Sequence, residues 1–257
     1  MRIAVKFAYD GKPFYGYARQ PDLHTVEGVL LKTLRKTGFI VDGRSSSFLS
    51  ASRTDKGVSA CCNVVAFNTK KSTKDLLQLL SEELTDVFPF AMARVSDDFY
   101  PRHAQKRWYR YVLPKESIGL KTIQQCIDLF QGSHDFSNFA RVESQKNPVR
   151  TIEQIKVDDW KHFFVIDIVA QTFLWHQIRR MISAMMKIEK GKKTLDEVAS
   201  ALHHPEKHMD FGVASAEPLI LMDIMYPHVS FKVDKYLEKK KEIVQRKVQD
   251  RVKDLVF

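Results

Sequence analysis

The sequence predicts an α+β fold made of two successive split βαβ halves. Three observations predict it. Apolar residues recur at period two in some stretches and near period 3.6 in others. The order that results (strand, helix, strand, strand, helix, strand) is completed once and then recurs. The 257 residues, 44% hydrophobic and 28% charged, are enough to bury a core in each half of a globular chain.

The opening segment carries Ile3, Val5, Phe7 and Tyr9 on one face, the alternation of a strand. Val26, Leu30 and Leu34 then recur at helical spacing within Thr25 to Lys36, and Gly38 supplies a stop. Two apolar runs, Ser47 to Ala51 and Cys61 to Asn68, read as paired strands. Ser72 and Asp75 resemble a capping box for a helix over Thr73 to Leu84, with Leu76, Leu77, Leu80 and Leu84 as its buried stripe. "VFPFAMARV" is the fourth strand.

The second passage opens with the strand "KRWYRYVLP" and a helix over Ile123 to Phe130. A hairpin in "TIEQIKVDDWKHFFVIDIVA" turns at Asp158 to Lys161, a helix covers Leu174 to Ile188, and "PLILMDIMY" closes as a strand. Pro101, Ile118 to Thr122 and Arg141 to Arg150 are irregular connections. Only element order, not letter-by-letter repetition, supports a duplication. The boundary falls near Gln105, which gives halves at 1–104 and 105–230. A charged amphipathic helix at 231–257 spaces Leu237, Val244, Val248, Val252 and Val256 along one face and reads as a packing element.

Composition narrows the function. The formal net charge of +10 points to a polyanionic partner, most economically nucleic acid. No apolar run approaches the roughly 18 residues of a membrane span, and the alternating, charged start "MRIAVKFAYDG" does not read as a signal peptide. The three cysteines, Cys61, Cys62 and Cys126, form no CxxC and read as reduced core residues of a cytosolic protein. His203, His204 and His208 lie close together, but Pro205 interrupts them and no HExxH glutamate accompanies them, so a solvated turn is the better reading. GxSxG, GxGxxG and a phosphate-binding lysine loop are missing from the sequence, so no cofactor is implied.

One stretch carries more chemistry than its local structure needs. Between the paired strands stands Arg53-Thr54-Asp55-Lys56-Gly57, where a plain turn would require only Asp-Gly. Comparison with aspartyl-phosphate enzymes fails, because Gly57 stands where their second Asp belongs. Cations this close favour an ionised carboxylate, and an oriented one can act as nucleophile or base. The plain alternative is an ion pair that locks the turn. Further on, "RWYRYV" sets Tyr109 and Tyr111 on one strand face and Trp108 and Arg110 on the other, a mixture suited to base stacking and phosphate contact. "FLWHQIRRM" places Arg179 and Arg180 on an otherwise apolar helix, where a charge calls for a partner.

These pieces, in order, resemble the tRNA pseudouridine synthase A family over nearly the whole chain: "FAYDGKPFYGYARQ", "TVEGVL", "SRTDKGVSA", "FYPRHAQKRWYRYV", "GSHDFSNFA", "VRTI", "FLWHQIRRMI" and "AEPLILMDIMYP". RTDKGVSA is similar to the archaeal and eukaryotic branch. Departures are Tyr17-Ala18-Arg19-Gln20 in place of GWQ, Pro218 in place of glycine, and Arg180 in place of Asn or His. The resemblance implies two ferredoxin-like halves that form an extended, mainly antiparallel sheet with helices on one face. It implies that Asp55 is the essential aspartate, that Arg53 holds or replaces the flipped nucleotide, that Tyr109 stacks on uracil, that Leu219 packs over the base and that Arg179 pairs with Asp55. It implies a cytoplasmic homodimer that acts without cofactor or metal on uridines 38 to 40 of the tRNA anticodon stem-loop. The competing reading is a non-catalytic RNA-binding protein or RNA chaperone on the same fold, which charge and aromatics suit equally. A dimeric scaffold built on the C-terminal helix would leave the Arg-aromatic clusters unexplained.

Overall fold

The computed structural model describes residues 1–144 and 146–254, with side chains through Arg251. It divides into two units, residues 1–105 with 220–250, and 106–219 with Arg251. Each is a mixed α+β unit around a mostly antiparallel sheet.

The first unit opens with β1 (Arg2–Tyr9), α1 (Val26–Lys36), β2 (Leu49–Ser50), β3 (Ser59–Asn68), α2 (Leu76–Glu83) and β4 (Val87–Val95). β1 lies between β3 and β4, antiparallel to both. Ile3, Val5, Phe7 and Tyr9 are buried, as the alternation predicts, and Ala4 and Ala8 on the other face are buried too. Lys6, on that second face, pairs with Asp223 at 3.2 Å and lies over the Phe231 ring. Opposite Pro89, which has no N–H to give, the register of β1 against β4 shifts between Lys6 and Phe7. Thr25 caps α1 by accepting from the Gly28 N–H at 3.3 Å, and Gly38 follows the helix at φ +73°.

α2 is shorter than the sequence predicts. It begins at Leu76, and Asp75 at its N-cap makes no side-chain capping bond. The Ser72 hydroxyl is only 3.5 Å from the Lys74 N–H. The Ser-Thr-Lys-Asp run satisfies its polar groups in a turn and so delays the helix.

The second unit contains β5 (Lys106–Pro114), α3 (Leu120–Phe130), β6 (Gly132–Asp135), β7 (Val149–Asp159), β8 (Phe163–Ala170), α4 (Gln177–Glu189) and α5 (Leu195–His203). Its sheet order is β5-β8-β7-β6, antiparallel throughout. α3 starts three residues before the predicted Ile123, after Gly119, because its first turn is polar and carries no periodicity. The hairpin between β7 and β8 turns slightly later than predicted and is closed by Trp160 N–H to Phe163 O at 2.9 Å. α4 starts three residues late: His176 takes a left-handed φ of 64°, which a helix cannot include. Leu174 N–H instead donates to Gln177 Oε1 at 2.8 Å. β6 and α5 are absent from the sequence reading. Yet α5 carries a complete capping box, with Glu197 N–H to Thr194 Oγ1 at 3.1 Å and Thr194 N–H to Glu197 Oε2 at 2.8 Å.

The chain then returns to the first unit with β9 (Leu219–Met225), β10 (Lys232–Val233), α6 (Lys235–Glu238) and α7 (Lys240–Asp254). β9 pairs in parallel with β3 through Ser59 and Ile220, and β10 extends the sheet beyond β4. α7 packs as expected from its stripe. Val244 and Val248 are fully buried, Lys240 donates to Ser81 Oγ at 3.1 Å, and Lys241 lies over the Phe90 ring. Two positions of the predicted stripe, the Val252 side chain and Val256, lie outside the described residues.

The two capping sites give opposite expectations. Thr194→Ala should cost about 1 kcal/mol of stability, whereas Ser72→Ala should stay within about 0.5 kcal/mol of wild type. Urea unfolding of both variants checks this, and equal losses would contradict the difference drawn here between the two helix starts.

Candidate active site

The loop between β2 and β3 is fixed from inside the first unit. Ala51 N–H bonds Val64 O at 2.8 Å, and Asn63 Nδ2 donates to Ser52 O at 2.9 Å. Thr54 turns inward: its Oγ1 is 2.7 Å from the buried Tyr9 hydroxyl, and its carbonyl accepts the Tyr17 N–H at 3.0 Å. Gly57 at φ +87° lets the chain reverse, and Val58 N–H closes the turn on Asp55 O at 3.2 Å. With Thr54 buried, Arg53 and Lys56 are exposed and Asp55 is half-buried. The Lys56 ammonium sits 4.2 Å from the centre of the Tyr15 ring.

Segment 10–17 lies directly against this loop. A Cβ at Gly11 would overlap the Val58 carbonyl and come within 2.8 Å of Gly57 C. Gly16, at φ +96°, faces the Thr54 carbonyl and Lys56 nitrogen at 3.5 and 3.3 Å. Only glycine permits both approaches. The segment is itself held: Gly11 N–H donates to Ser59 Oγ at 3.0 Å, and Asp10 Oδ1 accepts the Lys12 N–H at 3.1 Å. Lys247 of α7 reaches to 3.8 Å from Asp10, so the C-terminal helix braces the same corner. The Tyr17 hydroxyl donates to Ser50 Oγ at 2.8 Å, and Ser50 in turn donates to Glu27 Oε1 at 3.2 Å. Burial pushes the Tyr17 phenol well above its ordinary range, which keeps it a donor at neutral pH.

In the second unit, Tyr109 and Tyr111 share one face of β5, as the alternation predicts, and both are buried. Tyr109 meets Phe173 edge-on, with ring centroids 5.3 Å apart. The Tyr111 hydroxyl donates to Ser215 O at 2.9 Å, and burial raises its pKa, partly opposed by the Arg179 charge. On the other face Arg110 makes a two-pronged bond to Asp167, both contacts 2.8 Å, and lies over both the Trp108 and Trp160 rings. Arg179 is half-buried and clasps residue 214 twice: its Nε donates to Ala214 O at 2.8 Å, and its carbonyl accepts the Ala214 N–H at 3.1 Å. Ser183 Oγ bonds Phe211 O at 2.6 Å, so α4 straps segment 211–216 from two points. Arg180 pairs instead with Asp210 at 2.9 Å. The Gly212 N–H, and then that cation, hold the Asp210 carboxyl below its usual range. Leu219 is buried, and its N–H bonds Ala216 O at 3.0 Å.

The three histidines do not converge. His203 Nδ1 lies 2.8 Å from Ala199 O, and His204 faces Glu206. Among the described residues no three His, Cys, Asp or Glu side chains group as metal ligands, and no helix is long and apolar enough to cross a membrane. Cys61, Cys62 and Cys126 are buried thiols. Burial raises the Cys62 and Cys126 thiols to about 12, which leaves both un-ionised at neutral pH. Sequence reasoning missed the supports of the loop, namely Tyr9, Gly11, Gly16, Tyr17 and Thr54. Their signals in the sequence are the glycine spacing in "DGKPFYGY" and their place in the motif pieces "FAYDGKPFYGYARQ" and "SRTDKGVSA".

Comparison with known proteins decides the family. The chain is 42% identical to "tRNA pseudouridine synthase A" of Thermococcus sibiricus over 251 residues, covering 96% of this chain and 93% of that one. The chain belongs to the tRNA pseudouridine synthase A family. The homonymous protein of Thermococcus kodakarensis is 39% identical across 91% of this chain and 88% of its own, and that of Pyrococcus furiosus 37% across 96% and 92%. A family model described as tRNA pseudouridine synthase matches residues 126–227. The solved structure titled "Crystal Structure of a Cbf5-Nop10-Gar1 Complex" is 12% identical with a TM-score of 0.34, over 87% of this chain and 48% of that one, too little to bear on the site. Family membership makes the chain an isomerase that acts on tRNA. It favours the enzyme over the non-catalytic RNA-binding protein that charge alone would also allow.

Gly11→Ala tests the packed loop. The added methyl must displace the backbone at Val58, so turnover should fall at least tenfold, about 1.4 kcal/mol of activation free energy, while tRNA affinity stays near wild type. Gly38→Ala, where nothing lies within 4 Å of a Cβ, should lose only stability, through its positive φ. Single-turnover kinetics on both variants decide the matter, and an unaffected Gly11→Ala would show that the close approach is dispensable.

Proposed function

We propose that this synthase converts uridines at positions 38 to 40 of the tRNA anticodon stem-loop to pseudouridine, with Asp55 as the nucleophile. The observation that carries the reading is a half-buried carboxylate on a loop whose backbone is anchored on both sides, within a chain of this family. The motif resemblance supplies the chemistry. Asp55 attacks C1′ of the uridine, or takes a proton from C2′ to give a glycal. On either course the C1′–N1 bond breaks and the uracil turns. C5 then bonds to C1′ as the Asp55–C1′ bond breaks, or as Asp55 returns its proton to C2′ of the glycal, and C5 loses a proton while N1 gains one. Product and substrate are isomers, so the reaction consumes no co-substrate.

Reaching the base requires it to leave the stack, at a cost of a few kcal/mol. Exposed Arg53 holds the flipped nucleotide or fills the space it leaves. Tyr109 stacks on the uracil, Leu219 packs over it, and Arg179 balances the charge of Asp55. The net charge of +10 supplies affinity for phosphates that does not depend on sequence. In this reading the enzyme works in the cytoplasm as a homodimer.

Asp55→Asn should retain tRNA binding and the fold but lose more than about 10³-fold in single-turnover rate, or about 4 kcal/mol. Activity within tenfold of wild type would remove Asp55 from the role of nucleophile. Tyr109→Leu should lower turnover far more than affinity, since one stacked base is worth about 1–3 kcal/mol and binding sums many phosphate contacts. A collapse of affinity with the rate preserved would make Tyr109 a docking residue.

A further inference from the structure

On the first unit, α1 and the loop that follows it border a cleft of about 340 Å³, whose lining does not include the Arg53–Gly57 turn. Three guanidinium groups from three different segments border it: Arg19 ahead of α1, Arg35 in its last turn, and Arg44 in the 41–48 loop. Glu27, Leu31 and Arg35 are spaced by four and form one face of the helix, which is the wall of the cleft. Phe48, half-buried, supplies an apolar edge.

The acids of the cleft have other work. Asp42 accepts from Arg44 N–H and Ser45 N–H, both at 2.8 Å, and from the Ser45 hydroxyl at 2.5 Å. Those bonds hold its carboxyl below the usual range and build the loop that carries Arg44. Glu27 accepts the Arg19 N–H at 2.9 Å and the Ser50 hydroxyl at 3.2 Å, so it orders the segment that carries Arg19. A Cβ at Gly43 would come within 3.0 Å of Leu31, so its absence lets that loop rest on α1. Both carboxylates thus organise the backbone beneath the arginines. Among the described residues the Arg19, Arg35 and Arg44 guanidinia make neither a hydrogen bond nor an ion pair within 4.0 Å. All three are exposed.

We propose that this cleft is a second RNA contact, which receives the phosphodiester backbone of the tRNA at a place separate from the uridine being isomerised. The proposal rests on tRNA as the substrate. A guanidinium matches a phosphate with two parallel N–H donors and stays charged at any physiological pH. Three of them spread along a groove, whose two carboxylates already accept backbone N–H groups, suit backbone contact rather than base reading. The cleft wall is continuous with the catalytic loop through the chain Glu27, Ser50, Tyr17 and Thr54. A tRNA held here is therefore held by the same unit that presents Asp55.

The test is a salt series of tRNA binding for the full chain and for the triple variant Arg19→Gln, Arg35→Gln, Arg44→Gln, with an unmodified tRNA transcript as probe. Loss of three phosphate contacts should flatten the slope of log K against log salt by about 2. The single-turnover rate at saturating tRNA and the unfolding midpoint should both stay unchanged. The matching triple Arg→Lys variant should keep most of the slope. Wild-type affinity and slope in the Gln triple would overturn the proposal, as would an equal loss in the Lys triple, which would trace the effect to shape rather than charge. A wild-type chain that bound no tRNA would overturn the substrate assignment as well. Normal wild-type binding and turnover, together with an unaffected Gln triple, would remove only the cleft.

Discussion

The fit of two backbones, segment 10–17 against loop 54–58, is the constraint on which the candidate site depends. Gly11 and Gly16 let the two chains touch without side chains between them. At that separation Tyr17 N–H can reach Thr54 O, and the Tyr9 hydroxyl can reach Thr54 Oγ1. Move either segment outward by a methyl group and those bonds lengthen together. Thr54 anchored inward sets the direction of its neighbours, which is why Arg53 and Asp55 face away from the core.

Apart from the buried Asp10 carboxylate, the supports are neutral hydroxyls and amides. This is the physically economical choice. A hydroxyl pair is satisfied inside a core without the desolvation cost of an ion pair. The other charges stand at the rim: Lys56 over Tyr15, and the arginines of the α1 cleft. The site thus separates what fixes geometry from what meets a polyanion, and α7 becomes part of the first kind through its reach to Asp10.

Much of this was legible in the sequence. Period-two alternation located β1 and put Tyr109 and Tyr111 on one face of β5, and the apolar stretches of β4 and β9 marked those strands. The motif pointed to Asp55 because an acid between two bases exceeds the needs of a turn. Errors clustered at helix starts, for local reasons. Ser72 and Asp75 have capping-box letters but settle their bonds in a turn, whereas the true box at Thr194 and Glu197 lies after a lysine run. His176 ends one conformation and begins another through a left-handed φ that no periodicity reveals. The supports of the loop were illegible for a different reason. Tyr9 and Thr54 are 45 residues apart, and only the sheet brings them together.

The central claim is that the anchored loop presents a carboxylate to a uridine of the anticodon arm. The most direct measurement is to incubate the full chain with an unmodified tRNA transcript and to map pseudouridine by carbodiimide-dependent primer extension. The account predicts new stops at uridines within positions 38 to 40 and nowhere else in the transcript. Stops confined to another arm, or none at all under conditions where the tRNA is bound, would contradict it.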